Sequence, residues 1–175
     1  TPSPADISAQ SVTLTLTAFG NTPCPDEIST MVLTIVPAAT AYAGIDDNIC
    51  EGDIYTVSTA TASNHNGISW TSSGTGTFTG ATTLTPIYTP SPADISAQSV
   101  ILTLTANGNI PCGNVTSTMV LTIIPAAVVD AGTDDDVCEG DIYTVSTATA
   151  SNYSSLNWTS SGTGTFTGAT TLTPI

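Results

Sequence analysis

Carboxylates, four thiols, one imidazole and two indoles carry whatever chemistry this chain has. Its 175 residues include 14 Asp and Glu, one His and no Lys or Arg, for a formal net charge of −14. The densest acidic group is Asp46, Asp47, Asn48, Glu51 and Asp53, which returns as Asp134, Asp135, Asp136, Glu139 and Asp141, with Asp130 added. Oxygen donors at this density suit Ca²⁺, which takes roughly 6–8 hard oxygen ligands. Calcium is therefore the cofactor this cluster would hold, at a joint between structural units that it would stiffen. The alternative is a solvated acidic loop whose Asp side chains cap turns. The spacing matches no helix–loop–helix calcium loop.

Other chemistry is sparse. Cys24, Cys50, Cys112 and Cys138 include no C-x-x-C, and His65 is the single imidazole, becoming Tyr153 at the equivalent later position. Zinc ligation is not indicated. The Ser-rich stretches 71–74 and 159–162 have no base near them in sequence. Only paired carboxylates could act as acid and base, and the expectation is that the chain is not an enzyme. Phosphate recognition by nucleic-acid-binding proteins rests on Lys and Arg, so nucleic acid is excluded as a partner. No apolar run is long enough for a spanning helix, and no membrane insertion is expected.

The elements that must position these residues come from an internal repeat. TPSPADISAQSV opens the chain at Thr1 and returns at Thr89, and Cys24, Cys50 and Trp70 return as Cys112, Cys138 and Trp158. Residues 1–87 lie over 89–175 without a gap, with 68 of 87 positions identical. The offset of 88 reads as a window on a longer tandem array. Differences cluster at 25–28, 40–49 and 65–69, which reads as exposed loops on a fixed scaffold.

The local pattern is strand. SVTLTLTA at 11–18 alternates Val12, Leu14 and Leu16 with threonines, the period of a half-buried strand. STMVLTIVP at 29–37 is more continuously apolar and predicts a central strand. The stretches 53–62, 68–72, 76–80 and 83–89 complete the set, separated by Gly, Asn and Pro signals. No segment shows a sustained helical period. The predicted class is all-β: tandem immunoglobulin-like β-sandwich repeats of 88 residues. The boundaries fall at the P-A-A segments, giving the C-terminal half of one unit (1–38), one complete unit (39–126) and the N-terminal half of the next (127–175).

That phasing bears on the thiols. A Cys24–Cys50 bond would bridge neighbouring units, and a Cys50–Cys112 bond would close one. The phasing favours Cys50–Cys112, leaving Cys24 and Cys138 to pair with copies outside the window; free buried thiols are the other reading. Trp70 and Trp158 are expected to be core aromatics packed against the disulfide, with an exposed sugar-stacking platform as the alternative.

The segments AGIDDNICEGDIYTVSTATASN (43–64) and AGTDDDVCEGDIYTVSTATASN (131–152) resemble the start of PKD-like, immunoglobulin-like repeats. WTSSGTGTF (70–78), YTPSPADI (88–95) and LTLTANGNIPC (102–112) extend the likeness over nearly all of both copies. Such repeats build very large secreted surface proteins of Bacteroidota, including gliding-motility adhesins. The resemblance implies an extracellular, surface-attached protein exported by type IX secretion. The expected function is the stalk of an adhesin or fibre, whose partners are neighbouring repeats. The alternatives are an accessory module binding surface polysaccharide through 65–69 and 153–157, and a filament subunit that self-associates by exchanging strands or half-units between chains.

Overall fold

The computed structural model describes residues 1–175, with thirteen strands and two short helices. The chain is mostly β. Residues 1–38 hold helix α1 (Pro4–Ala9) and strands β1 (Ser11–Ala18) and β2 (Glu27–Thr34). The middle of the chain carries β3 (Thr40–Tyr42), β4 (Asp47–Cys50), β5 (Tyr55–Thr56), β6 (Thr61–Ser63), β7 (His65–Ser72), β8 (Thr77–Thr79) and β9 (Ile87–Thr89). Helix α2 (Pro92–Ala97) and the long strands β10 (Ser99–Gly108) and β11 (Val115–Ile124) follow. Beyond them come β12 (Val128–Asp130) and β13 (Thr149–Ser151).

One hydrophobic core of 14 buried residues lies between Ala39 and Leu121. A four-stranded sheet, ordered β4-β11-β10-β7, forms one wall. The three-stranded β5-β9-β8 and the two-stranded β3-β6 contribute to the other side. The arrangement is consistent with a β-sandwich. The period-2 pattern is realised directly: Val100, Leu102, Leu104 and Ala106 of β10 and Met119, Leu121 and Ile123 of β11 are buried, and their neighbours are not. Full burial of each Leu or Met contributes roughly 1.5–3 kcal/mol.

The chain joins the two layers near Gly44. Before it, β3 pairs antiparallel with β6; after it, β4 pairs parallel with β11. Gly44 has φ +107°, and a Cβ there would lie 2.5 Å from Thr59 Oγ1, so both conformation and space require glycine.

Two expectations change. Residues 65–67, ahead of the strand expected at 68–72, are not a loop. They open β7 and pair with β10, with a register irregularity between Ala106 and Gly108, and Ile68 is buried. The copies can differ there because Leu156 stands where Ile68 does, preserving an apolar inward position. PADISA, in which no helix was expected, is helical in both copies. Ser91 caps α2, Pro92 fixes the first turn, Asp94 closes a capping box, and Gln98 ends the helix in the left-handed region at φ 58°. Ser3, Pro4, Asp6 and Gln10 repeat this in α1.

Candidate functional site

The cysteines mark the two ends of the middle unit. Cys112 lies in the β10–β11 connection, and its Sγ stands 3.4 Å from the carbonyl oxygen of Val36, just before β3. Cys50 ends β4, where the parallel register pairs it with Ile124 at the far end of β11. Glu51 continues that end: its N–H donates to Ile124 O at 2.8 Å, and its Oε2 accepts the Ala126 N–H at 3.1 Å. The length of β11 separates the two ends, about 30 Å at 3.3 Å per residue. The Cys50–Cys112 bond is therefore corrected. All four cysteines are free thiols, and a disulfide needs Cα atoms within roughly 7 Å. The sequence phasing placed both residues in one unit but gave no sign that they occupy opposite poles.

The acidic residues do not converge either. No three of the chain's His, Cys, Asp and Glu residues stand together as a cation site. Asp46 Oδ1 accepts the Val120 N–H at 2.8 Å, extending the β4–β11 ladder by a side chain. Asp47 Oδ1 accepts the Asn48 N–H at 2.8 Å. Burial, with the Asp47 carboxylate beside it, pushes the Tyr55 hydroxyl up to about 12. Asp53 closes a turn through its N–H to Cys50 O. In the later copy Asp135 bonds the Asp136 N–H, and Asp134 and Glu139 are exposed. The carboxylates of Asp46, Asp47, Glu51 and Asp135 each accept a backbone N–H. His65 Nδ1 likewise accepts the Gly67 N–H at 3.1 Å.

Trp70 is a core aromatic at 4% exposure. Its Nε1 donates to Thr83 O at 3.0 Å, and its ring stands 6.1 Å from that of Phe78. Trp158 repeats this, with Nε1 to Thr171 O at 2.9 Å and Phe166 at 6.3 Å, but it is only half-buried. Neither packs against a disulfide.

A buried anchor was missed from the sequence. The Asp94 carboxylate, 3% exposed, accepts the N–H groups of Thr75, Gly76 and Ser91 and the Tyr88 hydroxyl, at 2.8–3.0 Å. Burial raises its pKa; the bonds from Ser91, Tyr88 and Thr75 outweigh this and leave the carboxyl below the usual range. A Cβ at Gly74 would collide with this carboxylate. The recurring SSGTG and SPAD motifs are thus two halves of one anchor.

No protein-family model and no curated protein matches this chain. The geometry alone carries the functional reading. No helix is long and apolar enough to cross a membrane.

The outer segments are open versions of the middle one. Leu16 of β1 is 74% exposed, whereas its counterpart Leu104 is 0% exposed; Met31 and Met119 differ in the same way, at 57% and 1%. In 127–175 the local contacts persist. Val145 N–H bonds Pro174 O and Trp158 N–H bonds Ala169 O, as Val57 and Trp70 do with Pro86 and Ala81. The stretch 153–160, equivalent to β7, forms no strand.

Proposed function

We propose that the chain is a structural segment of an extracellular fibre or adhesin stalk, built from tandem immunoglobulin-like, PKD-like sandwich repeats. The observation that carries this reading is the polar placement of entry and exit in 39–126. The chain enters beside Cys112, at the start of β11, and leaves at Ala126, beyond its end. Units joined in this way extend end to end rather than folding back. The linkers are held at both poles, by Cys112 against Val36 and by Glu51 on Ala126, which favours a stiff joint.

The role is mechanical rather than catalytic: the polar side chains described above are spent on backbone groups, and no nucleophile is paired with a base. Secretion to the cell surface fits a Thr-rich, Lys-free chain. Surface polysaccharide is the weaker reading of its partner: of its two assigned segments, 65–69 lies in β7 with Ile68 buried, and only 153–157 lies outside any strand.

Small-angle scattering and electron microscopy on a four-repeat chain test the proposal. A thin rod growing by about 30–45 Å per repeat is expected. Compact, flexibly linked beads would refute it.

A further inference from the structure

We propose that Asn66 is a self-modifying residue: its side-chain amide is displaced by the adjoining Gly67 main-chain nitrogen, with His65 as the base, leaving aspartate and isoaspartate at this position in β7. An Asn–Gly pair permits this reaction because glycine places no side chain over the attacking nitrogen. The chain holds two such pairs, Asn66–Gly67 and Asn107–Gly108. Every other Asn is followed by a residue with a side chain.

Both pairs lie at one irregularity of the sheet. The β7–β10 register runs from His65 opposite Gly108 to Ile68 opposite Ala106, so Asn66 and Gly67 together face Asn107. Such a bulge leaves its extra residue out of the ladder. The two pairs differ in what the glycine N–H meets. The Gly67 N–H donates to His65 Nδ1 at 3.1 Å. Accepting at Nδ1 requires a neutral ring with its proton on Nε2, so a base is already in place. The Gly108 N–H instead donates to Asn114 Oδ1 at 3.1 Å, an amide oxygen and no base. Space differs as well. A Cβ on Gly67 would meet only Asn107 Nδ2, at 3.7 Å, whereas one on Gly108 would collide with Gly113 O. Asn66 is exposed and Asn107 is half-buried. The later copy carries Tyr153, Ser154 and Ser155 at the positions of His65, Asn66 and Gly67, and so lacks all three parts.

The chemistry needs no oxidant. His65 Nδ1 takes the Gly67 proton as that nitrogen bonds to Asn66 Cγ. The Cγ–Nδ2 bond breaks, and Nδ2 leaves as ammonia with the proton that His65 returns. A five-membered imide remains. Water then opens it at either carbonyl. Cleavage between Gly67 N and Cγ gives aspartate; cleavage between Gly67 N and the main-chain carbonyl carbon gives isoaspartate. The nucleophile is a main-chain nitrogen and the event occurs once per chain, so it is not turnover. Isoaspartate adds one methylene to the main chain of β7. The neighbouring Asn64 holds the entry of the middle unit, donating from Nδ2 to Ala38 O at 3.2 Å and accepting from Asn109 Nδ2 at 3.0 Å. The modification therefore falls where the chain enters that unit.

This inference is independent of the stalk reading. The test incubates the 175-residue chain in neutral buffer at body temperature, folded and in urea. Peptic digestion with mass spectrometry locates each converted Asn, and an isoaspartyl methyltransferase counts the isoaspartate. In the folded chain Asn66 should convert about tenfold faster than Asn107 or more, and in urea the two should convert at similar rates. His65→Gln keeps a polar side chain but removes the base. It should slow Asn66 by about tenfold in the folded chain and leave the rate in urea close to that of the parent. The near-ultraviolet signal of Trp70 reports that the variant keeps the middle unit folded, and the comparison of Asn66 with Asn107 needs no variant. Equal conversion of the two in the folded chain, faster conversion of Asn107, an Asn66 that stays intact while folded, or a folded His65→Gln chain that converts like the parent would overturn the proposal.

Discussion

The Tyr88 hydroxyl donates to the Asp94 carboxylate across 2.8 Å inside the middle unit. Both residues lie near the junction of the two copies, and their bond ties β9 to α2. Asp94 also receives three backbone N–H groups, so one side chain fixes the SSGTG turn, the end of β9 and the first turn of the helix. Replacing Asp94 with Asn keeps the shape but turns an amide group toward donors. The expected loss is roughly 2–4 kcal/mol, since hydrogen bonds to a charged group are worth about 1.5–3 kcal/mol and stranded buried donors cost more. Urea unfolding followed by Trp70 fluorescence measures it. Asp6→Asn, on the exposed copy, should produce a far smaller change.

Asp94 also sets the acid limit. Its folded-state pKa lies below the unfolded value, so its stabilisation is complete above about pH 4 and is lost as pH falls further toward the folded value. The parent chain should lose stability steeply below pH 4, and Asp94→Asn should flatten that limb. Equal slopes in the two unfolding series would remove Asp94 from this role.

The alkaline limb should belong to tyrosine. No Lys is present, so above the thiol range only phenols titrate. Tyr55, held up to about 12 by burial and Asp47, and Tyr88, raised by burial, stay neutral when folded but ionise near pH 10 when unfolded. The Tyr55 contribution is intact below pH 10 and declines from there to about 12; that of Tyr88 likewise begins to decline above pH 10. Tyr55→Phe should reduce the loss of stability between pH 10 and 12, read by thermal melts across that window.

Much of the fold was legible because its signals are local. The alternation in β10 and β11, the turn residues and the repeat offset all report on neighbours within a few positions. PADISA was missed because six residues are too short for a helical period, although the Ser-Pro-x-Asp capping signal was present. The strand expected at 68–72 starts three residues earlier, and 65–67 escaped because divergence between copies suggests a loop, while Ile68 and Leu156 keep the inward position apolar. The cysteine poles and the scattered carboxylates depend on which strand ends meet, which only the parallel β4–β11 pairing decides.

Equivalent leucines should have unequal value. Leu104 packs against Trp70 at 0% exposure, and Leu104→Ala should cost roughly 2–5 kcal/mol. Leu16→Ala, in a monomeric chain, should change stability by about 0.5 kcal/mol or less. Paired denaturation curves at low concentration measure the difference. Equal costs would mean that the hairpin of residues 1–38 is buried in solution.

Glycine supplies the last comparison. A Cβ at Gly76 would lie 2.5 Å from both Thr89 O and the Tyr88 hydroxyl, whereas one at Gly164 meets nothing within 4 Å. Gly76→Ala must therefore push β9 or Tyr88 aside and disturb the Asp94 anchor, at an expected cost of roughly 1–3 kcal/mol. Gly164→Ala should be close to neutral, because a Cβ there meets nothing. Paired urea unfolding of the two variants measures the difference; equal costs would mean that the glycine is demanded by the turn itself rather than by Tyr88 and Thr89 above it.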